Sequence, residues 1–270
     1  MLFPNRPQFW WLVLAIHVVA AAVLLGVGPI ERIKQRLSLQ FPRSYEFIAD
    51  WYVLALVPLL YTELAALNAA VWNGRFFDDL IIGWEQAVFG DQPSRELAVR
   101  FPSIVLSEIL HGAYLSYYLI IYAPFVILYA QRRRQAHRAS AFAVMLSFFV
   151  HYLFFIYFPV QGPRYLYPAP GGALAEGSAY QLTHRLLEAG SSRGAAFPSS
   201  HVGVSIAQTL MVFRFLPPLG APVLLATIAL AVGAVYGGFH YAIDATAGFL
   251  LGIAAALIAP RLQARWTKRA

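Results

Sequence analysis

The sequence predicts an all-α, polytopic membrane protein of about seven helical spans, and three observations carry that reading. Hydrophobic residues make up 59% of the 270 positions and charged ones only 12%, against roughly 25% charged in a soluble domain. The apolar residues gather into uncharged runs of about twenty, the length that crosses the hydrocarbon as a helix and about twice the alternating strand of a membrane β-barrel. The basic residues that set the net charge of +7 fall in short loops between these runs. There they report topology rather than nucleic-acid binding. The absence of cysteine removes disulfides, thiol chemistry and Cys-based metal sites.

The runs cover about 9–30, 47–72, 103–130, 139–160, 199–216, 219–238 and 240–260. The first is too long for the apolar core of a signal peptide and is read as a span; six spans result if it lies differently. Arg32, Lys34, Arg36 and Arg43 precede the second run, and Arg132, Arg133, Arg134 and Arg138 precede the fourth. Arg214 lies at the fifth turn, and Arg261, Arg265, Lys268 and Arg269 in the tail. With seven crossings all these basic clusters fall on one side, the cytoplasmic one. The segment 73–102 and the loop 161–198 then face the other side, the periplasm or exterior if the membrane is a bacterial inner membrane.

Segment 75–100 mixes Phe77, Leu80, Ile81, Trp84 and Val88 with Asp78, Asp79 and Glu85, a pattern that suits an amphipathic helix lying in the interface. Gly90-Asp91-Gln92-Pro93 reads as a turn. The Pro- and Gly-rich stretch 161–198 reads as an irregular loop with a short surface helix over 181–189, and long loops of this kind are usually functional or disordered. Without repeats or a separate soluble portion, 1–270 is one integral membrane domain. Residues 1–135 hold the N-terminal spans and the interfacial segment, and 139–260 form the core in which chemistry is expected.

Two motifs carry that chemistry. In Pro198-Ser199-Ser200-His201 a proline suits a first helical turn and the serines satisfy free N–H groups. The helix N-terminus is a ready anion site, with His201 at its rim. His240 and Asp244 are spaced i,i+4 on one helical face. There a carboxylate fixes one imidazole nitrogen and leaves the other as nucleophile or base. Topology joins the two motifs. The runs 199–216 and 219–238 form a hairpin, so His201 and His240 return to the same face. Arg164, just after the fourth run, lies there too. Two histidines, an aspartate, an arginine and a helix N-terminus describe phosphoryl transfer that needs no cofactor and no obligatory metal. Each motif alone also has a structural reading, as an interfacial cap or a His–Asp pair holding a helix end.

Phe197-Pro198-Ser199-Ser200-His201 and His240-Tyr241-Ala242-Ile243-Asp244 resemble the second and third signature motifs of the type-2 phosphatidic-acid phosphatase superfamily. The similarity is closer to its inositol-phosphorylceramide-synthase-like and sphingomyelin-synthase-like branches, which also show His-Tyr-x-x-Asp. It is best from about Ser147 to Gly252. It implies that His240 is the nucleophile, Asp244 its partner and His201 the acid for the leaving group. It also implies that Arg164 holds phosphate with Ser199 and Ser200, on a lipid phosphate or phospholipid, with water or an alcohol as acceptor. The lysine expected seven residues before Arg164 is Tyr157, the residue after it is Tyr165 rather than proline, and the expected Ser-Arg pair falls on Gly233-Ala234. Arg193 is the candidate replacement for a missing cation. These departures lean toward a head-group transferase without excluding a phosphatase.

Glu108 and His111 share a face of the third run with Tyr114 nearby, and buried ionisable groups in spans are functional candidates. They are candidates for an acceptor or head-group pocket; a helix-gluing pair is the plainer reading. Glu63, Asn68, His17 and His151 read as structural, and His184 as a loop histidine. Two other classes compete: a metalloenzyme built on His201, His240 and Asp244, and a lipid transporter or scramblase without covalent chemistry. For the latter, the broken helices and inverted repeat expected of transporters are not evident.

Overall fold

Backbone polar groups in hydrocarbon must be satisfied within the segment, and the apolar runs accordingly fold as helices. The computed structural model describes residues 29–267, together with Ala15, His17 and Val18. The chain runs α1 (Pro29–Gln40), α2 (Pro42–Trp72), α3 (Asp78–Phe89), α4 (Pro93–Arg100), α5 (Ile104–Leu115), α6 (Tyr117–Ala130) and α7 (Arg134–Tyr157). It continues through α8 (Pro163–Leu166), a 3-10 turn (Gly172–Glu176), α9 (Ser178–Gly190), α10 (Ser200–Phe215), α11 (Pro217–Tyr236) and α12 (Ala242–Thr267). The basic loop after the first run is thus helical as α1, and the stretch 161–198 is more ordered than its prolines predict. Its helix, α9, extends beyond 181–189 at its start.

Four helices, α2, α7, α11 and α12, are long and apolar enough to cross a membrane. A fifth span results if α5 and α6, bent by 42° at their junction, count as one. The bend falls at Ser116, whose hydroxyl turns back to bond the Ala113 carbonyl at 2.6 Å and competes with the helical ladder. The predicted count of seven is not reached among the described residues. Most of the first run lies outside them, and the fifth run is α10. With 16 residues, α10 spans only about 24 Å, short of the roughly 30 Å hydrocarbon. It is the buried axis of the fold, packed by α7, α11 and α12, with Val202 through Thr209 all buried.

The α10–α12 crossing is close because Gly248 faces α10. A methyl group there would sit 2.3 Å from the Ser199 carbonyl oxygen, so only glycine lets the two backbones meet at this depth.

The interfacial segment forms two helices, α3 and α4, broken where the Gly90 turn was expected. Polar and apolar residues of α3 are not segregated into an outer and an inner face: Ile81 is buried, and Asp79 and Gln86 are exposed. Leu80, Trp84, Val88 and Phe89 are exposed, whereas Asp78 and Glu85 are buried. The carboxylates turn inward because backbone N–H groups of the two loops behind them wait there. Outward apolar side chains suit the lipid boundary.

Candidate active site

Three pieces of chain converge on one end of the bundle. The first is the entry to α10. Ser199 is the N-cap, its hydroxyl accepting the Val202 N–H at 3.4 Å, and its own N–H donates to the Asp244 carbonyl at 2.9 Å. Pro198 precedes this cap rather than standing in the first turn. The second piece is the tight turn closing α11. Gly238 adopts φ +69°, a left-handed conformation suited to glycine, and the N–H groups of Phe239 and His240 both reach the Ala234 carbonyl at 3.0 Å. The third is the start of α12. Asp244 Oδ2 accepts the Tyr241 N–H at 2.9 Å, so the carboxylate sits at the positive end of its own helix.

These elements build a linear polar array. Asp244 Oδ2 lies 3.5 Å from His240 Nδ1. His240 Nε2 faces His201 Nδ1 at 3.4 Å, and His201 Nε2 meets the Tyr114 hydroxyl at 3.2 Å. Asp244 is fully buried and His240 nearly so. The His201 ring is flanked by Tyr117 and Tyr114, with centroids at 4.6 and 4.9 Å. Beside His201 a cavity of about 280 Å³ is lined by Ser200, Ser191 and several tyrosines, among them Tyr61, Tyr114 and Tyr118.

The other expected site residues separate. Arg164 donates from Nη1 to Ser191 Oγ at 3.1 Å, which places it at the rim of that cavity. It also lines a larger vestibule of about 690 Å³ with Arg95, Tyr167, His184 and Gly238. Arg193 is exposed; its Nε donates to Gln161 Oε1 at 2.6 Å, and its guanidinium lies over Phe76 and Tyr165. Ser199 is committed to its cap, while Ser200 lines the cavity. Glu108 accepts the N–H groups of Ala179 and Tyr180 and the Ser178 hydroxyl at 2.8–3.1 Å. It caps α9, a structural task rather than the pocket role expected. His111 is buried, bonded at Nδ1 to the Ser107 carbonyl at 2.7 Å and packed on Tyr180 and His184. Of the expected pocket trio only Tyr114 touches the array.

His184 is more than a loop histidine. It stacks on Tyr180 with centroids 4.0 Å apart, and burial holds its imidazole down at about 4, neutral near pH 7. His151 is buried with its Nδ1 at 2.7 Å from the Ser147 carbonyl. Asn68 braces the 191–198 segment through the Arg193 carbonyl at 2.9 Å, and His17 lies 3.7 Å from Glu63; these fit structural roles. Among the described residues no three His, Asp or Glu side chains gather as a metal ligand set.

Two residues that the motifs do not contain hold the loops in place. Asp78 accepts the N–H groups of Gln161 and Gly162, each at 2.9 Å, and the Tyr241 hydroxyl at 3.2 Å. Glu85 accepts the Ala242 N–H at 2.7 Å. One helix, α3, thereby fastens both the loop leading to Arg164 and the start of α12. Burial pushes the Glu85 carboxyl up to about 7; the Ala242 N–H opposes this and the nearby Asp244 charge adds to it. The only sequence signal was their i,i+7 spacing, which puts both acids on one face.

Comparison with known proteins identifies a family. A family model described as the PAP2 superfamily matches residues 80–258, a range holding every residue of the array. A PA-phosphatase related-family protein of Dictyostelium discoideum is 25% identical over 206 residues, taking in 66% of this chain. The chain spans 37% of that relative's length. No solved structure matches. With the family model covering well over half of its length, this chain belongs to the PAP2 superfamily.

Proposed function

We propose that the chain is a membrane enzyme that removes or transfers the phosphoryl group of a lipid phosphate through a phosphohistidine. The observation that carries this is the Asp244–His240–His201–Tyr114 array. Asp244 Oδ2 stands 3.5 Å from His240 Nδ1; when the two close to a hydrogen bond, Asp244 accepts the Nδ1–H and Nε2 carries the lone pair that attacks phosphorus. As the N–P bond forms, the P–O bond to the lipid or head group breaks, and His201 gives its proton to the departing oxygen. Water or an alcohol then returns that proton to His201 and takes the phosphoryl group from His240. Arg164 at the cavity rim offsets charge on the phosphate oxygens.

The cavity beside His201 favours transfer to an alcohol over hydrolysis. Its walls combine tyrosine rings and the Ser191 and Ser200 hydroxyls with apolar side chains such as Val57, Ile121, Phe148 and Leu187, without an Asp, Glu, Lys or Arg, which suits an uncharged alcohol with an apolar body and restricts water. The site lies at the ends of α10 and α12 remote from the arginine-rich turns, and so opens on the periplasmic or external side under the positive-inside rule.

The test is direct. Protein incubated with a lipid labelled in its phosphate forms an acid-labile phosphoenzyme that His240→Ala abolishes. Full turnover by His240→Ala would overturn the assignment. Labelled product that grows with added alcohol distinguishes transfer from hydrolysis.

A further inference from the structure

At the end of the bundle remote from His240 lies a cavity of about 970 Å³. It opens between the α6–α7 turn, the end of α10 and the last turns of α12. Arg132, Arg133, Arg134, Arg138 and Arg214 line it, and no Asp or Glu does. Its floor is apolar, with Met211, Ala136 and Phe215.

The arginines divide by task. Asp50, almost fully buried, holds Arg134 Nε at 3.0 Å and Arg138 Nε at 2.6 Å, and Glu46 takes Arg134 Nη1 at 2.6 Å. Arg133 Nη1 donates to the Phe215 carbonyl at 2.6 Å and ties the turn to the end of α10. These contacts build the walls. Arg132 and Arg214 form no ion pair or side-chain hydrogen bond among the described residues; Arg214 only rests over the Phe215 ring. Five guanidinium groups against Asp50 and Glu46 leave three positive charges in excess around an open space. Topogenic arginines need only lie on the correct side of the membrane. They do not need to be braced around a hollow with an apolar floor.

We propose that this cavity binds a phosphate-bearing anion, of the class presented by an anionic phospholipid head group, with Arg132 and Arg214 as its direct ligands. Guanidinium groups pair with phosphate oxygens in bidentate fashion, and basic pockets between membrane helices are a known kind of head-group site. The apolar floor receives the upper acyl chain of such a lipid. A soluble phosphate or pyrophosphate presents the same anion without that chain.

The experiment reconstitutes the full chain in equimolar phosphatidylcholine and phosphatidylglycerol, extracts it, and counts retained lipid by native mass spectrometry. Inorganic pyrophosphate binding is measured in parallel by calorimetry. Arg132→Gln/Arg214→Gln removes the two ligands, while Arg32→Gln/Arg36→Gln removes equal charge from exposed α1 on the same face. Thermal unfolding shows that both variants fold. Retained phosphatidylglycerol is expected to fall by about tenfold or more in the first variant and little in the second. Pyrophosphate binding with the same dependence, and no lipid retention, assigns the site to a soluble anion. Equal losses in both variants, or none in the first, would overturn the proposal. Neither result depends on His240 chemistry, so this site and the proposed reaction stand or fall separately.

Discussion

Gly248→Ala tests whether the α10–α12 contact sets the site. The added methyl would meet the Ser199 carbonyl oxygen at 2.3 Å and the Gly203 nitrogen at 3.3 Å. An ordinary carbon–oxygen contact needs about 3.3–3.6 Å, so α12 must withdraw from α10 by about 1 Å. That carbonyl accepts the Gly203 N–H, and the Ser199 N–H bonds the Asp244 carbonyl. The shift therefore acts on the α10 cap and on Asp244 together. Overpacking costs about 1–3 kcal/mol, offset by up to about 1 kcal/mol from replacing a helical glycine with alanine. Stability thus falls by about 0–3 kcal/mol, while a misplacement of about 1 Å between catalytic groups costs on the order of 100-fold in turnover. Turnover of a labelled lipid phosphate and thermal unfolding, measured on the same preparation, read the two effects apart. Gly83→Ala on the exposed side of α3, where the new methyl meets nothing within 4 Å, is the control and keeps wild-type turnover. Wild-type turnover in Gly248→Ala would refute the claim that this crossing fixes the array.

Glu85 titrates at about 7 in the folded chain against 4.5 when unfolded. The folded state therefore holds the extra proton, and stability falls as pH rises from 4.5 through 7; Glu85→Gln, which keeps an acceptor for the Ala242 N–H, flattens that part of a thermal-midpoint profile. Asp78→Asn places an amide donor among three donors and is expected to cost about 2–3 kcal/mol, read as a lower thermal midpoint, with lost turnover because both loops loosen. Tyr114→Phe removes one hydrogen bond to His201 and is expected to lower kcat by up to about tenfold with KM little changed; a rise in KM alone would assign Tyr114 to substrate binding instead.

The membrane helices were legible because a run of about twenty apolar residues has few other fates. The grouping of His201, His240 and Asp244 was legible because a hairpin returns its two ends to one face. What the sequence could not show was tertiary. Asp78 and Glu85 are seven residues apart on one face, but nothing local says that the face turns inward. Their partners are N–H groups of Gln161, Gly162 and Ala242, far along the chain. Glu108 looked like a pocket residue because its α9 partners lie some seventy positions away. Arg193 was placed by distance from Pro198 alone, and its side chain turns to Gln161. The shortness of α10 was hidden because a helix buried in protein and one crossing lipid are equally apolar.

The 3.4 Å between His240 Nε2 and His201 Nδ1 bears on how the proposed reaction proceeds. A nucleophile in attack position stands about 3–3.5 Å from phosphorus, and the acid stands within about 2.6–3.2 Å of the leaving oxygen on the far side. In-line geometry therefore requires the two imidazoles to be several ångströms farther apart than they are. They cannot bracket a phosphoryl group as they stand; the array is closed on itself. His240 is held by the Ala234 carbonyl and lies against Asp244, whereas the His201 ring lies between two tyrosines at the edge of a cavity. The ring with room to move is His201. Entry of the phosphate then exchanges the His201–His240 contact for one contact from each imidazole to the substrate. Tyr114, bonded to the far nitrogen of His201, becomes the group that receives and aims the displaced ring. On this reasoning, substrate binding and arming of the acid are a single event.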